Sequence, residues 1–379
     1  MLQTGGGVEP KLEKATTSEN ANVMDLTMFD EHSLAQASLH LMASGAMKTA
    51  AAGAAAAALA QQHHSFTIMV NGIGSGKNDV GALIEHVLPT IRSVAPDMPI
   101  HILCNDLLAN EWMVLMNQLE ELRGARPDEF KNVYCKCVSG NCRHRLTIPD
   151  SVHLCVSFSV LHYPQTLPFD LDEKIRGAMA YISLPRGGPR EALEQTMDSY
   201  LYDYARARME ELVAGGALVC AMDGETAEQN HQFAKLYTPL ERGVVSMIED
   251  ELLPPSLRTT FFIMTASFSE ARCRAVLQRL PLLEDMSTSL LYVPCPYYLK
   301  WQDGNISDAE FASEVGNAIL ACFKMRLKEC CVPQHMDDKV FEERMSELLS
   351  RIEAMCATDP AGNDTSGITC FLHWRKPLR

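Results

Sequence analysis

The chain has 379 residues, 47% of them hydrophobic, so it can bury one large core together with a smaller lobe. Its formal net charge of −15 argues against nucleic acid or an anionic membrane as the main partner, because both select proteins with a basic surface. Thirteen cysteines, an odd number without framework spacing, indicate a reducing compartment and predict a cytoplasmic protein.

The first 60 residues contain two segments of biased composition. Residues 1–20 are rich in Gly, Glu, Lys, Thr and Ser and predict a disordered leader. Ala50 to Ala60 is nearly pure alanine, but its eleven residues are too few for a bilayer, which takes about 20. This run therefore predicts a helix packed on a sheet, and no membrane segment.

A strand, a glycine turn and a helix follow one another after His64. The run Phe66 to Val70 is apolar and largely β-branched, and it leads into Gly72, Gly74 and Gly76. Apolar residues then recur at helical spacing as far as Ile91. In such a unit, a backbone without Cβ atoms can approach a nucleotide-like ligand at the end of a strand.

The spacing of this glycine turn distinguishes three classes of ligand. A phosphate-binding P-loop needs Gly and Ser or Thr where the chain has Asn71 and Asn78. A dinucleotide fingerprint beginning at Gly72 would need glycine where the chain has Lys77. The remaining interpretation is the glycine loop of a nucleoside-binding methyltransferase.

A second predicted strand, Pro99 to Cys104, ends in Asn105 and Asp106. The carboxylate of Asp106 can accept hydrogen bonds from both hydroxyls of a ribose. Alternatively, the Asn-Asp pair caps a helix predicted over Leu108 to Leu122, and the two functions can coexist.

Four potential metal ligands lie close together after this helix. Cys135, Cys137, Cys142 and His144 resemble half of a zinc site, but no second half follows at finger spacing. Buried thiols are the favoured interpretation.

The remainder of the chain alternates strands and helices, which predicts a mainly parallel sheet covered on both faces. The predicted strands are Val152 to Phe158, Ala180 to Ile182 and Ala217 to Met222. A helix that includes Tyr204 is expected to end at Gly215 and Gly216 and to return directly into the last of these strands.

The pattern changes between residues 225 and 304, which we interpret as a cap lobe over the active site. This region contains a helix at Leu240 to Leu253 and extended runs at Thr259 to Ala266 and Ser289 to Val293. Two long helices, Asp308 to Cys330 and Asp337 to Met355, lead to a final strand, Gly367 to Trp374. The core would comprise residues 21–224 and 305–379.

Six short pieces of sequence occur in a characteristic order. They are Phe29 to Gln36, Gly76 to Asn78, Asn105 to Trp112, Arg145 to Tyr163, the helix into Glu210-Glu-Leu-Val-Ala-Gly-Gly, and Val315-Gly-Asn-Ala-Ile. In residue type and in order along the chain, they resemble the SABATH family of S-adenosylmethionine-dependent methyltransferases. Members methylate carboxyl groups of small acids such as salicylate, jasmonate and farnesoate, or ring nitrogens in the caffeine pathway.

The resemblance implies an α/β fold, a Rossmann-like methyltransferase sheet with an inserted, mostly helical cap, and S-adenosyl-L-methionine as cofactor. Because Asn141-Cys142 replaces the usual Ser-Phe, less aromatic cover on the adenine is expected. The cofactor-binding positions carried over are Ser33, Gly72, Gly74, Gly76, Asn78, Asp106, Leu107, Asn141 and Cys142.

The resemblance also implies a substrate site. Gln36 and Tyr163 would hold the carboxylate of a small acid, with Phe29 and His162 beside them. Tyr163 replaces a tryptophan and keeps a hydrogen-bond donor in its hydroxyl group. The alternatives are that His162 is a satisfied core histidine, that Gln36 is a solvated polar residue and that Ser33 is an ordinary helix residue.

Two departures from the family affect the chemistry. Val70 stands where an acidic residue usually closes the first strand, so a contact to the amino-acid portion of the cofactor is expected to be lost. Thr259 and Phe262 replace residues of a region associated with magnesium in some members, so no metal is predicted.

The predicted reaction is in-line SN2 transfer of the methyl group to a carboxylate, with no side chain acting as acid or base. A methyl sulfonium is already activated, so alignment is the main requirement, and it can contribute about 7–11 kcal/mol. The alternatives are an N-methyltransferase acting on a small heterocycle, or a non-catalytic homologue that binds a small acid, which Val70 motivates. The resemblance favours a homodimer.

Overall fold

The computed structural model describes residues 34–74, 76–164, 167–169, 179–184, 187–226, 234–263, 265–280, 284–331 and 336–378. These residues contain one seven-stranded sheet. Its strands are β1 (Phe66–Asn71), β2 (Ile100–Asp106), β3 (Val133–Ser139), β4 (Val152–Phe158), β5 (Leu212–Asp223), β6 (Glu284–Val293) and β7 (Gly367–Arg375).

The strand order is β3-β2-β1-β4-β5-β7-β6. Strands β1 to β5 pair in parallel, whereas β7 runs antiparallel to both of its neighbours. All seven residues of β4 are buried, as expected for a parallel strand covered on both faces. The chain order reverses between β1 and β4, and open α/β sheets bind ligands at the carboxyl ends of the strands at such a point.

Helices cover both faces of the sheet, so the predicted layered architecture is confirmed. They are α1 (Leu34–Ala60), α2 (Lys77–Ala82), a π-helical turn (Leu83–Val87), α3 (Leu88–Val94), α4 (Trp112–Ala125), a 3₁₀ turn (Tyr181–Ser183), α5 (Gly188–Glu211), α6 (Ala234–Glu249), α7 (Leu257–Thr260), α8 (Glu270–Leu277), α9 (Pro296–Gln302), α10 (Asp308–Cys331) and α11 (Asp338–Thr358).

Helix α1 confirms the prediction that the alanine run packs on the sheet. Ala51, Ala54, Ala55 and Ala58 form one helical face and are at most 1% exposed. They share an apolar core with strand residues of β1, β4 and β5, together with α2 to α4. Neither α1 nor any other helix in the described part of the chain is long and apolar enough to cross a membrane.

The opposite face is covered by α5 and α8. Leu193, Met197 and Leu201 of α5 pack with Cys273 and Leu277 of α8. They contact the strand side chains that point to the face of the sheet opposite α1. The sheet is therefore enclosed between two distinct apolar cores.

A third core defines what we call the helical lobe, formed by α6, α7, α9, α10 and α11. Leu240 of α6, Phe311 of α10 and Leu348 of α11 are completely buried within it. The expected lobe, residues 225–304, therefore differs from the one observed. Strand β6 lies in the sheet, and α10 and α11 belong to the lobe because their apolar faces pack against α6.

Three local expectations are also wrong. Ala180 forms a single bridge to Ile263 and is followed by the 3₁₀ turn, so no strand covers residues 180–182. Helix α7 occupies the start of the run expected to be extended over residues 259–266. Gly215, at φ +76°, lies within β5 and does not end a helix, because the pairing of β5 with β4 contains a bulge there.

Candidate functional site

The glycine loop after β1 lies at the carboxyl edge of the sheet. Gly72, Gly74 and Gly76 have φ angles of +69°, +55° and +91°, a region that side chains with Cβ atoms disfavour. A Cβ on Gly72 would lie 2.2 Å from Val160 Cγ2, and a Cβ on Gly76 would lie 2.3 Å from Leu115 Cδ1. Backbone conformation therefore favours glycine at both positions, and at Gly72 the branched side chain of Val160 also leaves no room for a Cβ.

Asp106, at the end of β2, is bonded to this loop. Its Oδ2 accepts from Gly74 N–H at 2.8 Å, and its Oδ1 accepts from Leu107 N–H at 2.7 Å. Burial raises the pKa of Asp106, whereas these two bonds lower it. The capping residue of α4 is Glu111, so the interpretation of Asp106 as a helix cap is wrong. Each carboxylate oxygen retains a lone pair that can accept from a ligand.

Two asparagine side chains hold the backbone segments around Asp106 together. Asn105 donates to the carbonyl oxygens of Val138 and Gly140, both at 2.9 Å. Asn110 donates to the carbonyl oxygen of Gly74 at 3.0 Å. The glycine loop and the segments that follow β2 and β3 are therefore joined through hydrogen bonds.

A buried ion pair holds the segment that follows β3. Arg208 is 1% exposed, and its Nε donates to Glu211 Oε2 at 2.7 Å. Its Nη1 and Nη2 donate to the carbonyl oxygens of Cys142 at 2.6 Å and His144 at 2.8 Å. Glu211 Oε1 accepts from the backbone N–H groups of residues 146 and 147. Sequence reasoning missed this pair, whose only signal is the i,i+3 spacing in the last turn of α5.

The end of β1 offers no carboxylate to a ligand. Val70 is 1% exposed and lies in the apolar core beneath α1. The amide of Asn71 donates to Cys155 Sγ at 3.0 Å and to the hydroxyl of Tyr204 at 3.3 Å, and its oxygen lies 3.4 Å from Arg208 Nη1. This geometry agrees with the expected loss of an acidic contact, which remains a prediction.

His162 and Tyr163 follow β4 at the same edge of the sheet. Their ring centroids lie 4.1 Å apart. Burial lowers the pKa of His162 to about 3, so the ring is neutral at pH 7. Burial also raises the pKa of Tyr163 well above its usual value of 10, so its hydroxyl keeps its proton.

A buried histidine connects α1 to the glycine-loop helix. His40 Nε2 lies 3.1 Å from Asp79 Oδ1, and both side chains are at most 5% exposed. Asp79 lies in the first turn of α2, and Gln36 lies one turn before His40 in α1. The helix that carries Gln36 is thus held against α2, the helix that follows the glycine loop.

The remaining predicted residues are located as follows. Phe29 and Ser33 lie outside the described residues, and the side chains of Gln36 and Asn78 are not part of the description. Asn141 Oδ1 accepts from Arg143 N–H at 3.0 Å, and Cys142 is half-buried. No group of three or more His, Cys, Asp or Glu residues in the described ranges could hold a metal ion. The binding functions predicted for individual residues remain predictions.

The sheet order, the glycine loop after β1 and the acidic residue at the end of β2 define the architecture of an S-adenosylmethionine-dependent methyltransferase. The sequence profile of the SAM-dependent carboxyl methyltransferases matches residues 24–366. The chain belongs to this family. The predicted family, fold class, enzyme class and cofactor are therefore confirmed.

Individual relatives are distant. A solved structure of loganic acid methyltransferase with S-adenosylhomocysteine superposes with a TM-score of 0.69 at 15% identity, covering 92% of this chain and 96% of that chain. Anthranilate O-methyltransferase 3 of Zea mays is 21% identical over 287 residues, 71% of this chain and 72% of the relative. Gibberellic acid methyltransferase 2 of Arabidopsis thaliana is 26% identical over 170 residues, 42% of this chain and only 43% of the relative.

We expect Gly72→Ala to weaken S-adenosylhomocysteine binding about tenfold, measured by calorimetry. A left-handed backbone costs a residue with a Cβ about 1–2 kcal/mol, and relieving the overlap with Val160 requires the loop to move. The control is Gly81→Ala, because a Cβ on Gly81 meets nothing within 4 Å. Unchanged affinity in a folded Gly72→Ala variant would contradict a role for this loop in cofactor binding.

Proposed function

We propose that the protein transfers the methyl group of S-adenosylmethionine to the carboxylate of a small organic acid by in-line SN2 displacement. The observation that carries the proposal is the bonding of Asp106 to the glycine loop. It sets a carboxylate with free lone pairs beside a backbone that has no Cβ atoms, which suits a nucleoside. Membership of the carboxyl methyltransferase family supports an acid as acceptor.

In this proposal, the described residues fit the cofactor. Asp106 accepts hydrogen bonds from the ribose hydroxyls, and Gly72 and Gly74 allow close approach of the amino-acid portion. Leu107, Asn141 and Cys142 flank the base. By family resemblance, Gly76, Asn78 and Ser33, the last of which lies outside the described residues, also belong to the cofactor site. When bound, the cofactor supplies an activated methyl sulfonium.

The acid is held at the other end of the methyl group. By family resemblance, the hydroxyl of Tyr163 and the amide of Gln36 donate to the carboxylate, and His162 and Phe29 belong to the same subsite. A carboxylate is already a nucleophile at neutral pH, so the protein supplies alignment and the exclusion of water by the helical lobe. No side chain acts as acid or base.

The test is a transfer assay with methyl-labelled S-adenosylmethionine and a panel of aromatic, terpenoid and fatty acids, with N-heterocycles included. We expect label in a base-labile methyl ester of at least one acid. Label only in a heterocycle would establish the N-methyl alternative. Binding of S-adenosylhomocysteine without transfer to any compound would instead indicate a non-catalytic homologue.

Tyr163→Phe isolates the proposed carboxylate contact. A hydrogen bond to a charged group contributes about 1.5–3 kcal/mol, so kcat/KM for the acid should fall about tenfold to a hundredfold. Affinity for S-adenosylhomocysteine should not change. The control is Tyr134→Phe, since Tyr134 is 52% exposed on β3. Equal kinetics for the two variants would exclude Tyr163 from the acid site.

We further propose a cytoplasmic homodimer. All thirteen cysteines are free thiols, which persist in a reducing compartment. Leu41 and Met42 of α1 are 67% and 42% exposed, and β6 forms an open edge of the sheet, so apolar and backbone surface is available to a second copy. Light scattering after size exclusion tests the assembly.

A further inference from the structure

A second carboxyl group lies at the carboxyl edge of the sheet; it is buried, and the proposed mechanism does not use it. Asp223 ends β5 and is 7% exposed. Its Oδ1 lies 3.4 Å from His162 Nδ1, and its Oδ2 accepts from the hydroxyl of Tyr237 in α6 at 3.4 Å. Asp223 therefore contacts the histidine whose ring lies against that of Tyr163 in a tilted arrangement, with an interplanar angle of 47°.

The geometry of this contact indicates a proton between the two side chains. His162 Nδ1 accepts from the backbone N–H of Asp223 at 3.4 Å, so this nitrogen presents a lone pair. An ionised Asp223 would present a second lone pair to the same nitrogen. The approach of Oδ1 to Nδ1 is favourable only when one proton lies between them.

The other titratable groups around Asp223 stay neutral near pH 7. Burial raises the pKa of Cys322 in α10 to about 12, and it raises those of Tyr163 and Tyr237 well above 10. Among the described residues, no Lys or Arg lies within ion-pair distance of Asp223, and the neighbouring His162 is neutral. Burial raises the pKa of Asp223 to about 7, against the hydrogen bond from Tyr237, which lowers it. Within this cluster, Asp223 is thus the group that gains charge between pH 6 and 8.

We propose that Asp223 and His162 hold one proton between them, and that this proton controls the affinity of the neighbouring site for an acid substrate. With the proton present, the pair of side chains next to Tyr163, Asp223 and His162, carries no net charge. When the proton is lost, a buried negative charge lies close to the proposed carboxylate site, where low dielectric strengthens repulsion. Asp223 is then a positioning and specificity residue, and this inference rests on the proposed function.

The decisive variant is Asp223→Asn, which removes the charge and keeps the shape. In the wild-type protein, KM for the acid should rise up to tenfold per pH unit above pH 7, while the affinity for S-adenosylhomocysteine stays constant. In Asp223→Asn, KM should be flat from pH 6 to 8.5. The matched control is Glu225→Gln, two residues further along. Glu225 lies near Arg190 and Arg272, so this variant should keep the wild-type profile.

A second readout does not depend on the substrate. The pKa of Asp223 is higher in the folded protein than its usual value of 3.8, so the folded state binds the proton more tightly and stability falls as pH rises from about 4 to 7. Between pH 5 and 8, the wild-type Tm should therefore fall relative to that of Asp223→Asn or Asp223→Leu.

Parallel Tm curves, or a KM of the wild type that is constant with pH, would overturn the inference. If neither variant folds, infrared spectroscopy of the wild type decides. A protonated carboxyl band lost between pH 6 and 8.5 supports the shared proton, and no change in that band contradicts it. Failure of every acid as a substrate, with the Tm difference intact, would reject the proposed function but keep the shared proton.

Discussion

Asp106→Ala is expected to lower the affinity for S-adenosylhomocysteine about tenfold to a hundredfold, measured by calorimetry. The substitution removes a half-buried carboxylate that accepts from Gly74 N–H and Leu107 N–H, together with its proposed bonds to the ribose. Hydrogen bonds to a charged group contribute about 1.5–3 kcal/mol, which corresponds to this range of affinity. Asp106→Asn should be milder, because the amide keeps one acceptor.

The matched control for this variant is Glu111→Ala, which removes an exposed carboxylate from the same connection between β2 and α4. It should leave the affinity unchanged. Binding of the acid, measured separately, should also change little in Asp106→Ala. An Asp106→Ala protein that loses thermal stability but binds S-adenosylhomocysteine normally would show that this carboxylate only fixes the loop.

Glu211→Ala should reduce the free energy of unfolding by about 3–5 kcal/mol, measured by denaturant titration. Arg208 is completely buried, so removal of its partner leaves an uncompensated charge in the core. The backbone N–H groups of residues 146 and 147 also lose their acceptor. Cofactor affinity should fall as well, because this segment follows Asn141 and Cys142.

The adjacent residue provides a close control. Glu210 is about half exposed and lies 3.7 Å from an exposed Arg145, so Glu210→Ala should cost less than about 1 kcal/mol. Replacing both buried partners, as in Arg208→Met with Glu211→Leu, should recover part of the loss because no charge remains buried. Equal destabilisation by Glu210→Ala and Glu211→Ala would exclude the proposed contribution of the buried pair.

The elements that sequence predicted well are those whose pattern is local. The apolar run of β4, the glycines after β1 and the alanine face of α1 each carry their information within about ten residues. The boundary of the helical lobe is not local, because the assignment of β6 to the sheet depends on pairing with β7. Likewise, α10 joins the lobe through contacts with other helices that no periodicity specifies.

The same distinction applies to the site. Asp106 could be found because an acid at the end of a strand is a sequence signal, and Asp223 ends β5 in the same way. Arg208 could not be found, because its partners at Cys142 and His144 precede it by two secondary structure elements. Gln36 and Tyr163 are identified through family resemblance alone, and Tyr163→Phe tests the second of these assignments.

The position of β7 has a consequence for the order in which the protein forms during synthesis. This strand is made after the other six, yet it lies between β5 and β6. Until β7 leaves the ribosome, β5 has an unpaired edge and β6 has no partner in the sheet. Nascent chains are therefore exposed to edge-to-edge aggregation throughout translation of α10 and α11. In that interval, the unpaired edges of β5 and β6 are the surfaces that chaperones would need to cover.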